Sequence, residues 1–447
     1  MIRIATCLFL VSIAVTGILL ASPAHAADPV TFSKDVAPIL QENCQGCHRP
    51  GQIGPMPLLT YEDARPWAKS IKQQVGLRKM PPYFAHPSSL PMRGDLNLSQ
   101  EEIDTIIAWA DQGAKQGNPD DMPEARVWEN YEGGWMLKQP DIVLQMPEPF
   151  GVSGGDDDLY QCFLIPFAAD VDLWLKGVEF KPGNNKVVHH IILFEDSMGR
   201  FKAFDDETPE QGCECADMEK ILVGTKLLKM WAPGNVQPLS PTGIANKLQA
   251  GKDLILQVHY HNVTGEDQID QSAIALHLAQ PEETIQKQIL GQLVVQPNLN
   301  IKAGDAVSEH EAHFTTRKDL TLYSSGVHMH LRGKSMGMWA KQPGDTEETT
   351  IVRVPEYDFN WQLTYEFEQP WKAPAGTEFI MRSVHDNSAE NPNNPNPNVD
   401  VHWGLYSDDE MAFSGYSYTV DEEFLNITPQ ISEKYSANNA KSASSDD

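Results

Sequence analysis

The spacing of apolar residues changes once along the chain, near residue 138. Upstream they recur every three or four positions. In FSKDVAPILQENC, Val36, Ile39 and Leu40 share one helix face, with Ser33 placed to cap it. In LSQEEIDTIIAWADQGA, Ile103, Ile106, Ile107 and Ala110 share another, with a capping box at Ser99 and Glu102 and a stop at Gly113. Downstream, short β-branched runs lie between clusters of Gly, Pro, Asn and Asp: DIVLQM, KVVHHIILFE, DLILQVHYHNV, TLYSSGVHMHL and TEFIMRSVHD. That pattern predicts antiparallel β-sandwiches. The expected architecture is multi-domain: a small all-α domain over 28–125, then two all-β sandwich domains over 138–285 and 286–432. The polar ending, 433–447, reads as a disordered tail.

Residues 1–26 hold one positive charge, Arg3, an apolar run broken by Pro23, and the small-residue site Ala24-His25-Ala26. They read as a cleaved signal peptide, so the expected location is periplasmic or secreted. No later stretch is apolar enough to suggest a membrane span. The formal net charge of −28 argues against nucleic acid and anionic lipid as partners. It would steer a basic redox protein inward, although a solvated acidic surface accounts for it equally well. Export permits disulfides, and Cys162 is expected to pair with either Cys213 or Cys215.

Cys7 lies in the expected signal peptide, and the two remaining cysteines stand in NCQGCHRPG, residues 43–51. CxxCH in an exported chain reads as one covalent c-type haem, joined through Cys44 and Cys47 with His48 as proximal ligand. A redox dithiol or half a zinc site are the alternatives, but no second CxxC and no βαβ pattern accompany the motif. The helical domain is therefore expected to be cytochrome c-like. Met56, Met80 and Met92 lie between its helices, and GLRKMPPYF makes Met80 the expected sixth ligand. It is similar to RKMPPW-like segments in small haem-c domains; an open or His86-ligated iron is the alternative.

Three histidine clusters punctuate the β half. His259 and His261, and again His328 and His330, stand two apart and so share a strand face. His189 and His190 are adjacent and would point to opposite faces unless the strand bulges. A single such pair fits an ordinary polar sheet face as readily as a metal site; three clusters in one β chain point to metal.

VVHHIILF, LILQVHYHN, GVHMHLRGKSM and YSDDEMAF, in that order, resemble the copper type II, ascorbate-dependent monooxygenases, the peptidylglycine α-hydroxylating and dopamine β-monooxygenase family. The resemblance spans most of 138–432. It implies two jelly-roll domains, each with one copper, facing across a solvent-filled cleft. Carried over position by position, His189, His190 and His259 would hold the first copper, and His328, His330 and Met411 the second. His261 would be a neighbour only, and Gln257 would match a glutamine lying between the sites. The family's carboxylate-gripping arginine and tyrosine are replaced by Gly326 and Gly415, which argues against a peptide C-terminus as substrate.

Zinc is the rival metal, and methionine discriminates: two imidazoles with a thioether favour Cu(I), whereas zinc is rarely given sulfur of that kind. By itself, Met411 would read as core. The implied activity is hydroxylation of an activated C–H bond of a small organic substrate with O2. The fused haem suggests an entry port for electrons from an ascorbate-like reductant or a redox protein. The alternative is a non-catalytic haem–copper electron carrier or copper-binding protein.

Overall fold

The computed structural model describes residues 29–435 except 53, 129–132, 156–157, 207–211, 216–222 and 236–237. The expected signal peptide lies outside the described residues. The protein is mostly β, with several antiparallel sheets and a small N-terminal helical region.

In the helical region, Phe32–Val36 runs into Ala37–Asn43, and the helices Ala68–Gly76 and Gln100–Asp111 pack against them. Phe32, Leu40, Ile71, Ile106 and Trp109 meet in one core. The capping box forms as expected: Ser99 Oγ accepts from Glu102 N, and Ser99 N donates to the Glu102 carboxylate at 2.8 Å. Ser33 is not a cap. Phe32 is fully buried and draws the helix start upstream, so Thr31 stands at the N-cap, its amide donating to Asp35 at 2.7 Å.

The first β unit is a pair of five-stranded sheets. One runs Ile142–Gln145, Ala273–Leu278, Leu173–Lys181, Ile244–Leu248, Lys287–Gln288 in spatial order; the other runs Cys213–Glu214, Leu159–Ile165, Leu254–Tyr260, Val188–Glu195, Lys226–Trp231. Alternation drives the packing. Leu254, Leu256, Val258 and Tyr260 face Leu173, Leu175, Ile274 and Leu276 across the sheets. The second unit pairs two four-stranded sheets: Leu290–Val295, Phe413–Val420, Leu320–His328, Thr364–Ala373, and Ser308–Thr315, Glu378–His385, Gly333–Lys341, Thr349–Val354. Met338, Val352, Phe379 and Leu322 fill its core. Lys287–Gln288 pairs with the first unit and Leu290–Val295 with the second, so the changeover falls at Ile289, slightly beyond the expected join.

Regions distant in sequence are laced together. Tyr83–Arg93 leaves the helical region and runs along the second β unit: His86 N donates to Arg353 O at 2.7 Å, Arg93 N to Glu366 O at 2.8 Å, and Ala85 enters that core. Met92 bridges to Phe367. At the other end the chain returns to the first unit. Tyr435 stacks on Phe167 at 5.0 Å, and its hydroxyl donates to Phe167 O at 2.6 Å. The expected loose tail is thus docked through Tyr435, and 436–447 lie outside the described residues.

Leu256, 1% exposed at the centre of the first core, reports on that packing. Leu256→Ala is expected to cost about 2–5 kcal/mol, read as a lower midpoint in chemical denaturation; an unshifted midpoint would contradict the described core.

Candidate metal centre

Strands Val188–Glu195 and Leu254–Tyr260 pair antiparallel. Their alternation turns Ile255 with Ile192 and Phe194 away from the core, and His190 and His259 share that parity. Strict alternation would send His189 inward with Ile191 and Leu193. The register slips there: Val188 lies opposite Tyr260, but His190 lies opposite His259. His189 is therefore the extra residue of a bulge, and the bulge turns it outward.

The three Nδ1 atoms converge, His189 to His190 at 3.3 Å, His189 to His259 at 3.1 Å and His190 to His259 at 3.4 Å. A triangle of that size has a circumradius of about 1.9 Å, close to the ~2.0 Å of a metal–imidazole bond. The contacts cannot all be hydrogen bonds, because a ring nitrogen that carries the proton donates and cannot accept, and a triangle of three such atoms always contains a like pair. At His259 that proton is on the other nitrogen: Nε2 donates to Asp158 Oδ1 at 2.7 Å, leaving Nδ1 as a lone pair. The Tyr160 ring stacks on His259 at 4.0 Å. Burial is the main force holding the rings neutral. It pushes His189 down to about 4, with His261 adding to the effect. It pushes His190 and His259 well below the usual histidine range, with the neighbouring imidazoles adding. This buried group could hold a metal ion.

A second arrangement lies at one end of the strand Leu320–His328. His328 faces Phe413 in register and stacks on it at 4.6 Å. His330 follows two residues on, its ring 5.2 Å from His328 and nearly perpendicular. Both are buried, and both Nδ1 atoms lack a hydrogen-bond partner. Met411 precedes Phe413 by two, and so continues the register toward His330. Glu410, fully buried, clamps the two segments: Oε2 accepts from His330 N at 2.9 Å and Met411 N at 3.2 Å, and Oε1 accepts from Arg332 N at 2.6 Å. Burial pushes His328 down to about 4 and holds His330 well below the usual histidine range. It pushes the Glu410 carboxyl up to about 8. His385 is also buried here, its Nε2 3.3 Å from Met411 O, whereas His402 is exposed on a short strand beside Asn300.

The two groups meet closely. Phe359 stacks on His189 at 4.6 Å and stands edge-on to His330 at 6.0 Å. The resemblance implied a solvent-filled cleft; in this structure an aromatic ring stands between the histidine groups, and all five histidines are under 10% exposed. His261 is a neighbour, its ring 6.1 Å from His189. Gln257 lies on the His259 side, but its Nε2 donates to Cys215 Sγ at 3.6 Å. The cysteine alternatives resolve as Cys162–Cys215, with Cys213 free although its backbone pairs with Cys162.

Cys44 follows directly on the helix Ala37–Asn43. The Nδ1 of His48 is 3.0 Å from Met56 O, so an Nδ1–H donated there would leave the Nε2 lone pair available. A Cβ at Gly54 would come within 2.7 Å of Cys47 O and 2.8 Å of His48 Nδ1, so only glycine allows this turn. Burial, then Cys47, pushes the Cys44 thiol up to about 12, and burial raises Cys47 as well. A redox dithiol shows the opposite shift. A cavity of about 1130 Å³ adjoins the motif, above the ~300–1,000 Å³ usual for small-molecule sites. Cys44, Cys47, His48 and Met80 line it, and so do His189 and His261. Met56 also lines it, whereas Met92 and His86 do not.

No family model matches the chain, and no curated protein does. Among solved structures, a putative α-L-fucosidase from Bacteroides ovatus is 10% identical over 72% of this chain at a TM-score of 0.17, and this chain spans only 44% of its length. The infectious bursal disease virus VP2 subviral particle protein is 7% identical over 67% of this chain and 87% of its own, at 0.15. Dimeric latent PorU from Porphyromonas gingivalis is 10% identical over 60% of this chain and 25% of its own, also at 0.15. Similarity this low carries no argument about fold or activity.

Asp158, Phe359 and Glu410 escaped the sequence reading. Each acts across a long separation, and nothing local marks it. His189→Ala, His190→Ala and His259→Ala are each expected to lower metal affinity at the triad by at least ten-fold, and His261→Ala to leave it near wild type. Titration with zinc(II) or copper checks this, and equal losses in all four variants would refute the assignment.

Proposed function

We propose that this chain is an exported copper monooxygenase that hydroxylates an activated C–H bond of a small organic substrate with O2. The carrying observation is the pairing of two unlike buried donor groups: three convergent imidazoles, and two imidazoles whose strand register leads to Met411. Imidazole accommodates both copper oxidation states, and a thioether favours Cu(I). In this reading the β units are jelly rolls and the helical region is cytochrome c-like.

Copper would supply O2 activation and one-electron transfer, two electrons and two protons turning RH and O2 into ROH and water. The chain's own residues do the rest. His189, His190 and His259 form a triangle that would hold copper, and imidazole ligands would accommodate both of its oxidation states. Glu410 keeps the His330 and Met411 segments in register. Gly326 lies directly opposite Gly415, so that stretch of the second site offers no side chain to grip a carboxylate. This favours a small substrate without one.

The cavity shared by Cys44, Cys47, His48 and His189 supports a c-type haem as electron entry port, with His48 as proximal ligand and Met80 the favoured sixth. A tethered donor acts at high effective concentration. The disulfide suits an oxidising compartment, and among the described residues no helix is long and apolar enough to cross a membrane. One observation favours a second reading, an exported haem–copper electron carrier: Phe359 stands where substrate would approach both histidine groups.

Met411→Leu keeps the volume and removes the sulfur. It is expected to abolish O2-dependent product formation and to leave the triad's copper in place, by metal analysis and copper paramagnetic resonance. Two copper sites with wild-type spectra in this variant would remove Met411 from the ligand set. Cys44→Ala with Cys47→Ala is expected to suppress turnover with a protein electron donor while an ascorbate-like reductant still supports it. Unchanged turnover with the protein donor would end the relay idea.

A further inference from the structure

Asp158 belongs to the first β unit, and its carboxylate is shared with the second. Oδ1 accepts from His259 Nε2 at 2.7 Å and from Ser407 Oγ at 3.0 Å; Oδ2 accepts from Ser407 N at 2.6 Å. Ser407 lies four residues before Met411, in a tight turn where Asp409 N donates to Tyr406 O at 3.0 Å and Gly404 N to Glu410 O at 3.1 Å. Alongside, Tyr160 stacks on His259 and stands edge-on to Tyr406 at 6.4 Å. A first-site imidazole and the turn leading to Met411 therefore hang on one carboxylate.

We propose that Asp158 is a positioning residue that couples the two histidine groups, so that a metal on His189, His190 and His259 orders the Tyr406–Met411 turn and thereby places Met411. A cation on the Nδ1 lone pair of His259 holds that ring, and the ring holds Asp158 through its Nε2 proton. The fixed carboxylate then gives Ser407 one geometry in place of several. This rests on the reading of both groups as metal sites. The coupling is reciprocal: whatever factor the first site contributes to the second, the second returns to the first.

The test uses the full chain and zinc(II) alone, which three imidazoles attract and a thioether does not. Zinc is expected to slow amide hydrogen exchange across Tyr406–Met411 by a factor within the ~5–150-fold range of coupled sites. Asp158→Asn keeps a carbonyl acceptor for His259 but loses one for Ser407. It should bind zinc nearly as well as wild type and lose the slowing. Asp158→Ala should also bind zinc about 10–100-fold more weakly. Ser407→Ala, the mildest change, should retain part of the slowing through its backbone amide. Zinc bound at the triad with equal slowing in wild type and Asp158→Asn overturns the coupling. Zinc not bound at the triad overturns the metal-site reading, and the coupling with it.

Discussion

Three imidazole Nδ1 atoms sit 3.1–3.4 Å apart on buried histidines, and that of His259 presents a lone pair. Buried polar atoms are costly when unpaired, and lone pairs facing one another add repulsion. A shared proton could relieve one contact of the three. A cation relieves all of them at once, and the triangle has the size that a first-row metal requires. Everything around the triad serves that arrangement. The bulge turns His189 outward, Asp158 takes the proton side of His259, and burial keeps the rings neutral and therefore basic toward metal.

The same logic is weaker but parallel at the second group. His328 and His330 also bury Nδ1 atoms without partners, and Glu410 spends its carboxylate on backbone amides, not on the rings. Burying an acid is costly, and the three backbone amides that it accepts from offset part of that cost. Glu410 thereby ties the His330 segment to the Met411 segment.

Much of this was legible in the chain. Period-2 runs located the strands because one face of each is buried, and the Ser99–Glu102 box appeared because both partners lie within one turn. The adjacent His189 and His190 posed a definite question, bulge or divergence, and the register slip answers it. Other features were hidden for equally physical reasons. Ser33 matched a cap by type, but the burial of Phe32 decided where the helix begins. Cys213 and Cys215 could not be told apart by spacing, since only the fold shows which sulfur reaches Cys162. Asp158 and Ser407 are 249 positions apart, and Phe359 lies in a loop whose partners come from both β units.

The interlaced connectivity gives the molecule a direction. Because Tyr83–Arg93 is bound along the second β unit, the segment just after Met80 is anchored on a sheet and is not free to swing with the helical region. The cavity beside Cys44 and Cys47 is lined by residues of all three regions, His189 and His261 among them. His328, His330 and Met411 do not reach it. In the proposed function, an electron entering at the motif would reach the three-histidine group before the second group, because only the former lines that cavity. Phe359 joins the two histidine groups, stacked on His189 and edge-on to His330, so the second group sits behind a ring that the first group shares.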